Sequence, residues 1–597
     1  MSKRAVLSGN EALARGAWEA GVAFGAGYPG TPSSEILPTL TQLGGVYTGW
    51  SVNEKCALEA ASGAALAGAR CLVTMKHVGL NVAADPLFTL SYTGAKGGLV
   101  IVSADDPAMH SSQNEQDSRH YARAAKVLML EPADTQEARD FAALALELSE
   151  RFDTPVLLRT TTRLAHSAGV VNLGERTERP PACEPEPDPQ KYVMVPAHAR
   201  RRHAAVAERT RTEIGLAEET SLNRVESGAG GLGIITSGVA YQYAREAAPD
   251  ASFVKLGVTW PLPPAKLRAF AATVERLVVI EEGDPVLAEQ VRALGLTVEP
   301  LPESLQLGEL SPERVAAALR GEDVQAALGD LPPRPPVLCP GCSHRGVFIV
   351  LRKLKTFVTG DIGCYTLGAL PPLGALHTCL CMGAGIGQAH GLEAAGGDQR
   401  NTVAVIGDST FIHSGITGLV NIAYNGQASV VVILDNSTTA MTGGQDHPGT
   451  GRSLSGRPGR KLDLAALCRA VGIPNVTVVN PRDLAATEAA LRAALAADTP
   501  SVVIAQCPCI TVYRERGEPR AIDEALCVRC GMCLRTACPA ILVKPPQTEG
   551  GTGDQPTPPE KPQPVIDIAL CAGCNLCAQV CPKEAIHVWA GSGGEAR

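Results

Sequence analysis

Two short β-branched runs, residues 403–406 and 430–434, each end in side chains suited to a small hard cation. Gly407-Asp408-Ser409 follows the first and Asp435-Asn436-Ser437-Thr438 the second. Residues 411–425 between them read as the crossover helix of a βαβ unit. Such a unit brings the carboxyl ends of both strands to one sheet edge, where open α/β folds bind ligands. There Asp408 and Asn436, 28 positions apart, face each other across one ion. Oxygens from Asp, Asn and Thr438, completed by phosphate oxygens, form the donor set that Mg²⁺ prefers. An ordinary nucleotide-type turn is the plainer reading of the same residues.

The cysteines point to a second chemistry. Cys527-x₂-Cys530-x₂-Cys533-x₄-Cys538-Pro and Cys571-x₂-Cys574-x₂-Cys577-x₃-Cys581-Pro form an internal repeat. This is the ligand spacing of bacterial two-cluster ferredoxins, in which each fourth cysteine serves the other cluster. One [4Fe–4S] cluster then takes Cys527, Cys530, Cys533 and Cys581, the other Cys538, Cys571, Cys574 and Cys577. The first set carries one extra residue before its last cysteine, which a loop absorbs. A zinc ribbon or a disulfide framework would not require this register. A further pair, Cys339-Pro-Gly-Cys342, precedes Ser343-His344-Arg345. Ser343 intervenes where c-type haem attachment needs histidine, and zinc stays open. Cys379 and Cys381 fit no ligand spacing and read as packed core thiols.

The elements around these groups set the architecture. A chain of 597 residues with 45% hydrophobic content holds three to five domains. Basic and acidic residues are interspersed and the net charge is −8, which gives no electrostatic case for nucleic acid. No apolar run reaches membrane length, and the start lacks a signal-peptide core, so a cytoplasmic location is expected. There, nineteen cysteines argue for metal rather than disulfides.

The expected fold class is α/β, with doubly wound parallel sheets and a C-terminal ferredoxin-like domain. Residues 1–190 form one α/β domain, 191–228 a charged, solvated linker, and 229–330 a smaller α/β domain. The proline cluster at 331–336 marks a boundary. Residues 337–515 form another α/β domain and 520–597 the ferredoxin domain, with 544–564 a surface insertion rich in Pro, Gly and Thr. In the first domain, Gly27-Tyr28-Pro29-Gly30-Thr31-Pro32-Ser33-Ser34-Glu35 is a strand-to-helix turn. Asn53-Glu54 opens an alanine-rich helix, where a first-turn carboxylate ordinarily complements the helix dipole. Lys76-His77 and the polar run 110–119 follow strand ends and reach toward the same crevice. Arg119 is the candidate partner for a substrate carboxylate, because a guanidinium binds one bidentately. His77 is grouped with it.

Tyr-Pro-x-Thr-Pro-Ser-Ser followed by Asn-Glu resembles the pyrimidine-binding domain of the 2-oxoacid:ferredoxin oxidoreductases. Asp408 and Asn436 resemble the diphosphate–Mg²⁺ motif of thiamine diphosphate enzymes, with Ser409 replacing the usual third residue. The domain order is similar to the large subunits of the indolepyruvate branch more than to the pyruvate or 2-oxoglutarate enzymes. The resemblance places a transketolase C-terminal-like domain at 229–330. It implies thiamine diphosphate and Mg²⁺ held by Gly407, Asp408, Ser409, Asn436 and Thr438, with His344 beside them. Glu54 would bond N1′ of the aminopyrimidine and Thr31 would face the substrate. A third [4Fe–4S] cluster would take Cys339, Cys342, Cys364 and Cys509, the last preferred to Cys507 for its Pro-Cys context. The implied reaction is oxidative decarboxylation of aryl 2-oxoacids to aryl-acetyl-CoA and CO₂, with electrons passing to ferredoxin. Non-oxidative decarboxylation, and an electron-relay subunit with an inactive cofactor site, are the alternatives. The implied assembly adds a small subunit in an α₂β₂ complex. In it, Glu54 of one chain would serve Asp408 and Asn436 of the other across alanine/glycine-rich faces after Glu54 and at 383–387.

Overall fold

The structure, a computed structural model, describes residues 3–179, 184, 187–322, 334–396, 401–544 and 563–589. Parts of the proline-rich connector (180–183, 185 and 186), of the proline cluster (331–333) and of the insertion (545–562) therefore lie outside the described residues. The chain divides into two compact units, Met1–Leu331 with Leu454–Gly456, and Pro332–Ser453 with Arg457–Arg597.

The first unit is built on a seven-stranded sheet. Across it run Val258–Trp260, Met129–Leu130, Val156–Thr161, Leu99–Asp105, Cys71–Lys76, Phe24–Gly27 and Tyr47–Trp50, parallel except at the first pair. Alternate residues of the apolar strands sort to opposite faces, as the two-residue period of a strand requires. Leu72, Val100, Val102 and Leu158 share one core with helices Gly9–Glu19, Ile36–Leu43 and Thr135–Phe152. Val73, Leu99, Ile101 and Leu157 share another with Glu54–Leu66, His77–Val82 and Ala84–Thr93. Both faces are covered, so the strands read as continuous apolar runs.

Two sequence expectations change here. Val258–Trp260, from the segment assigned to a separate small domain, closes the edge of the seven-stranded sheet. The rest of that segment forms a four-stranded sheet in the order Arg276–Ile280, Leu232–Ser237, Ser252–Leu256, Arg224–Glu226. The charged linker contains helix Pro196–Glu219, which keeps most of its length exposed but is docked along one face through Val206, Glu213 and Ala217. Arg202 donates to the Tyr92 carbonyl, and Arg209 to the carbonyls of Ser91 and Lys126. Glu213, fully buried, pairs with Arg209 at 3.3 Å. Long arginine stems cover surface while their heads find backbone acceptors, so charge content alone did not reveal the docking.

The second unit carries a six-stranded, wholly parallel sheet: Thr378–Cys379, Phe357–Gly360, Thr402–Gly407, Val430–Asp435, Ser501–Gln506 and Asn475–Val479. The crossover at 411–425 is helical, but it begins with a π-helical turn, Phe411–Gly415, before the α-helix Ile416–Asn425. Such single turns cluster at functional sites. The C-terminal region holds two antiparallel ladders, Arg520–Ile522 with Ile586–Val588 and Ile541–Lys544 with Gln563–Ile566. Its internal repeat extends to the hydrogen bonds. The Asp523 amide donates to the Ala585 carbonyl and the Asp567 amide to the Ala540 carbonyl. Cys527 and Cys571 then donate back to Asp523 and Asp567.

Candidate functional site

The parallel register of the second unit sets Gly407 opposite Leu434, so Asp408 and Asn436 both emerge at the carboxyl edge of the sheet. Asp408 is 2% exposed. One carboxylate oxygen accepts the Ser409 amide, and the other accepts the Ser437 amide at 2.8 Å. Ser437 reaches it by adopting φ 57°, a left-handed conformation uncommon outside glycine. Burial raises the Asp408 carboxyl above its ordinary range, opposed by His447. Gly407 has no room for a side chain, since a Cβ there would lie 2.7 Å from the Tyr365 ring. The Asn436 side-chain oxygen accepts the Thr438 amide, and its nitrogen lies 3.4 Å from His344 Nε2. Burial pushes His344 down to about 4, so its ring is neutral at neutral pH. Ser409 Oγ accepts from Thr439, and Thr438 Oγ1 donates to the Gln445 carbonyl.

The strand after this motif ties it to cysteine. The Cys507 amide donates to the Asp435 carbonyl, and the Cys509 amide to the Asn436 carbonyl at 3.0 Å. Cys364 lies beside Cys339 and Cys509, and Cys342 beside Cys339 and Cys364. Burial pushes the Cys342 thiol up to about 12 and Cys364 to about 11. Buried Cys507 lies near Cys574 as well as Cys509.

The eight C-terminal cysteines surround two cavities. One is lined by Cys527, Cys530, Cys533 and Cys581, the other by Cys538, Cys571, Cys574 and Cys577. Each cavity therefore takes its fourth cysteine from the opposite half of the repeat. Backbone amides point at the sulfurs: Arg520 N–H at Cys571 and Ala585 N–H at Cys581, both at 3.3 Å. Among the described residues, no three His, Cys, Asp or Glu side chains converge as they would on a single ion. Thiols around a four-iron cube stand farther apart than that.

In the first unit, Asn53 caps helix Glu54–Leu66 by accepting the Cys56 amide. Glu54, 5% exposed, packs against Gly79, where an added Cβ would lie 2.6 Å from its Oε1. A buried carboxylate in a cleared space is more than a solvent-facing complement to a helix dipole. Thr31 is half-buried, and its carbonyl accepts from Ser111 Oγ at 3.3 Å. Lys76 Nζ donates to the Ser111 carbonyl at 2.6 Å, and burial lowers it to about 8. His77 is buried, with Nε2 3.3 Å from the Asn114 carbonyl, and burial lowers its basicity. It anchors the 110–119 loop.

Arg119 is corrected by the structure. It is 2% exposed and bound to Asp117 and Glu281, with further bonds to the Glu282 and Asp284 carbonyls. Its guanidinium holds an internal network and is not presented to a substrate; the partner Glu281, 162 positions away, gave no local signal. Cys379 and Cys381 are exposed at the sheet edge, not packed in a core. Gly383 and Gly385 are internal: a Cβ there would strike Ser414 and the Gly360 carbonyl respectively. Their smallness serves packing within the domain.

Three residues at these sites escaped the sequence reading. His447 Nε2 lies 3.2 Å from Asp408, and the Gly449 amide donates to Nδ1 at 3.1 Å. The ring proton therefore belongs on Nε2, the nitrogen nearer the carboxylate. Asp361, fully buried, accepts the amides of Ile362, Gly383 and Gly385, fixing the start of helix Ala384–Gly396. Burial raises it to about 6. Arg345 lies buried beside the first cysteine pair. The turn Gln445-Asp446-His447-Pro448-Gly449 and the strand end Gly360-Asp361 were the available signals.

Known proteins match along the chain. Residues 15–229 match the pyruvate flavodoxin/ferredoxin oxidoreductase thiamine diphosphate-binding family. Residues 361–505 match the C-terminal TPP-binding domain of thiamine pyrophosphate enzymes, and 564–587 the 4Fe-4S binding domain. The indolepyruvate oxidoreductase subunit IorA of Archaeoglobus fulgidus is 41% identical, over 98% of this chain and 97% of its own. That of Methanothermobacter thermautotrophicus is 40% identical over 97% and 96%, and that of Pyrococcus abyssi 38% over 98% and 97%. A solved 2-oxoglutarate:ferredoxin oxidoreductase from Magnetococcus marinus is 18% identical, with TM-score 0.46 over 53% of this chain and 65% of that one. The chain belongs to the family of indolepyruvate oxidoreductase IorA subunits, within the 2-oxoacid:ferredoxin oxidoreductases.

Proposed function

We propose that this chain is the large subunit of an enzyme that oxidatively decarboxylates aryl 2-oxoacids, of indolepyruvate type, to aryl-acetyl-CoA and CO₂. Electrons leave through three [4Fe–4S] clusters to ferredoxin, and a separate small subunit completes an α₂β₂ complex. The observation that carries this reading is the bond from the Cys509 amide to the Asn436 carbonyl. One peptide contact joins a residue of the cation motif to a cysteine of the adjoining set.

The donor sets suit these groups. Asp408 and Asp435 are buried, and among the described residues no lysine or arginine pairs with either. Buried carboxylates without a cation are costly. Asp408, Asn436 and Thr438 would hold a Mg²⁺ ion there, whose positive charge would meet these carboxylates and the diphosphate of the cofactor. His447 orients Asp408 from behind, as residues behind a ligand commonly do. Glu54, whose side chain occupies the space that Gly79 leaves, would exchange a proton with N1′ of the pyrimidine. Bound thiamine diphosphate supplies the carbanion chemistry that releases CO₂ and leaves two electrons to be removed singly.

Cys339, Cys342, Cys364 and Cys509 would hold the cluster at the cofactor side. The cavity of Cys538, Cys571, Cys574 and Cys577 is also lined by Gly341 and Arg345, which supports its reading as the next station. The cavity of Cys527, Cys530, Cys533 and Cys581, bordered by exposed Val528 and Met532, comes last and faces the acceptor.

The test supplies the anaerobic complex with indolepyruvate, CoA and a one-electron dye. Aryl-acetyl-CoA is expected with about two reduced dyes per product, on single-electron stoichiometry. Aldehyde without dye reduction overturns the oxidative reading. Dye-linked electron passage without turnover of any 2-oxoacid would leave an electron-relay subunit.

A further inference from the structure

Arg345 begins helix Arg345–Leu354 and is fully buried. Its Nη1 donates to the Thr536 carbonyl at 2.6 Å. Its Nη2 donates to the carbonyls of Leu338 and Cys339 at 2.8 and 3.0 Å. Nε has no partner, and among the described residues no carboxylate pairs with the guanidinium. A full positive charge thus sits in the interior with neutral acceptors only. Buried cations are ordinarily matched by an anion, because desolvation is otherwise uncompensated.

The surroundings identify that anion. Leu338 and Cys339 belong to the loop of Cys339 and Cys342, while Thr536 lies between Cys533 and Cys538. The guanidinium bridges the two loops, and it lines the cavity of Cys538, Cys571, Cys574 and Cys577. Four irons with four sulfides, held by four thiolates, would carry net negative charge, and reduction would add one more without making or breaking a bond.

Resting on the three-cluster reading, we propose that Arg345 is the fixed counter-cation between the Cys339-side and Cys538-side clusters. It raises the reduction potential most at the Cys538-side cluster, whose cavity it lines, and so favours electron transfer into it. Arg345 is a positioning and tuning residue; it touches no substrate.

The test is a dithionite titration of the anaerobically purified full chain, followed by EPR. Loss of a signal in Cys571→Ser identifies the Cys538-side cluster. In Arg345→Gln with full iron, the midpoint of that signal should fall by at least about 59 mV, a tenfold change for one electron. The Cys527-side signal should move much less, and Arg345→Lys should restore most of the shift. An unmoved midpoint in Arg345→Gln, with iron intact, overturns the proposal and makes Arg345 a strut between loops. If Arg345→Gln loses iron, Arg345→Lys decides, because it keeps the charge without the three-carbonyl fork. Iron and a near-normal midpoint there support the charge role; iron lost there too overturns it. Wild-type chain without iron at the Cys538 set would instead sink the three-cluster reading itself.

Discussion

The two units treat buried charge in opposite ways. In the first, Arg159 meets Asp105, Glu131 and Asp117, and Arg119 meets Asp117 and Glu281. Charge there is closed on partners from the same unit. In the second, among the described residues, Asp408 and Asp435 are buried without a lysine or arginine, Arg345 has only carbonyls, and cysteines surround two cavities. A matched network needs nothing further and reads as architecture. An unmatched one marks where something charged belongs. By that criterion Arg119, which invites a catalytic role from its motif, is structural, while Arg345 marks where an anion belongs.

The sharpest way to break the contrast is to empty the open side. Asp408→Ala should abolish thiamine diphosphate and Mg²⁺ binding together, and turnover with them. Glu54→Gln, by contrast, should leave the cofactor bound while slowing C2–H exchange and turnover severely. Calorimetric titration of cofactor into both variants distinguishes the roles; tight binding by Asp408→Ala would end the cation-site reading.

A second intervention removes one set of thiols. Cys339→Ser combined with Cys342→Ser should lose about four of about twelve iron atoms, on four-iron stoichiometry, and leave the ferredoxin-domain EPR signal. Iron analysis showing eight atoms and full activity in the unaltered chain would remove the cofactor-side cluster.

On the closed side, Arg119→Met should destabilise the chain by about 3–5 kcal/mol, as breaking a buried ion network does. The fraction that folds should keep its KM for the 2-oxoacid. A raised KM at unchanged melting temperature would return Arg119 to the substrate and reverse the contrast.

The smallest effect concerns protons, because the closed network has more acids than arginines. Burial, with Glu309 and Glu131 nearby, raises Glu282 to about 7 despite the Leu310 amide and Arg159. An unfolded glutamate titrates near about 4.3. The folded chain therefore keeps a proton that the unfolded chain releases. The contribution to stability is fully present below about 4.3 and is lost as pH rises through about 7. Glu282→Gln should flatten the fall of melting temperature across that window, and an unchanged slope would assign it to other groups.

By itself the sequence determined the features whose chemistry demands short, fixed spacing. Cluster ligands must sit two or three residues apart on tight loops, so the repeat from Cys527 to Cys581 was legible without coordinates. One βαβ unit has a set length, which made Asp408 and Asn436 legible as a pair. Continuous apolar runs alternating with alanine-rich helical stretches gave the doubly wound architecture. The tertiary structure alone decided which charges meet across long separations. Arg119 finds Glu281, and Arg345 finds Thr536 while finding no carboxylate among the described residues. It also brought Gly79 under Glu54 and His447 behind Asp408, and laid Val258–Trp260 along the first sheet. Such pairings depend on how whole elements pack, and no spacing rule encodes them.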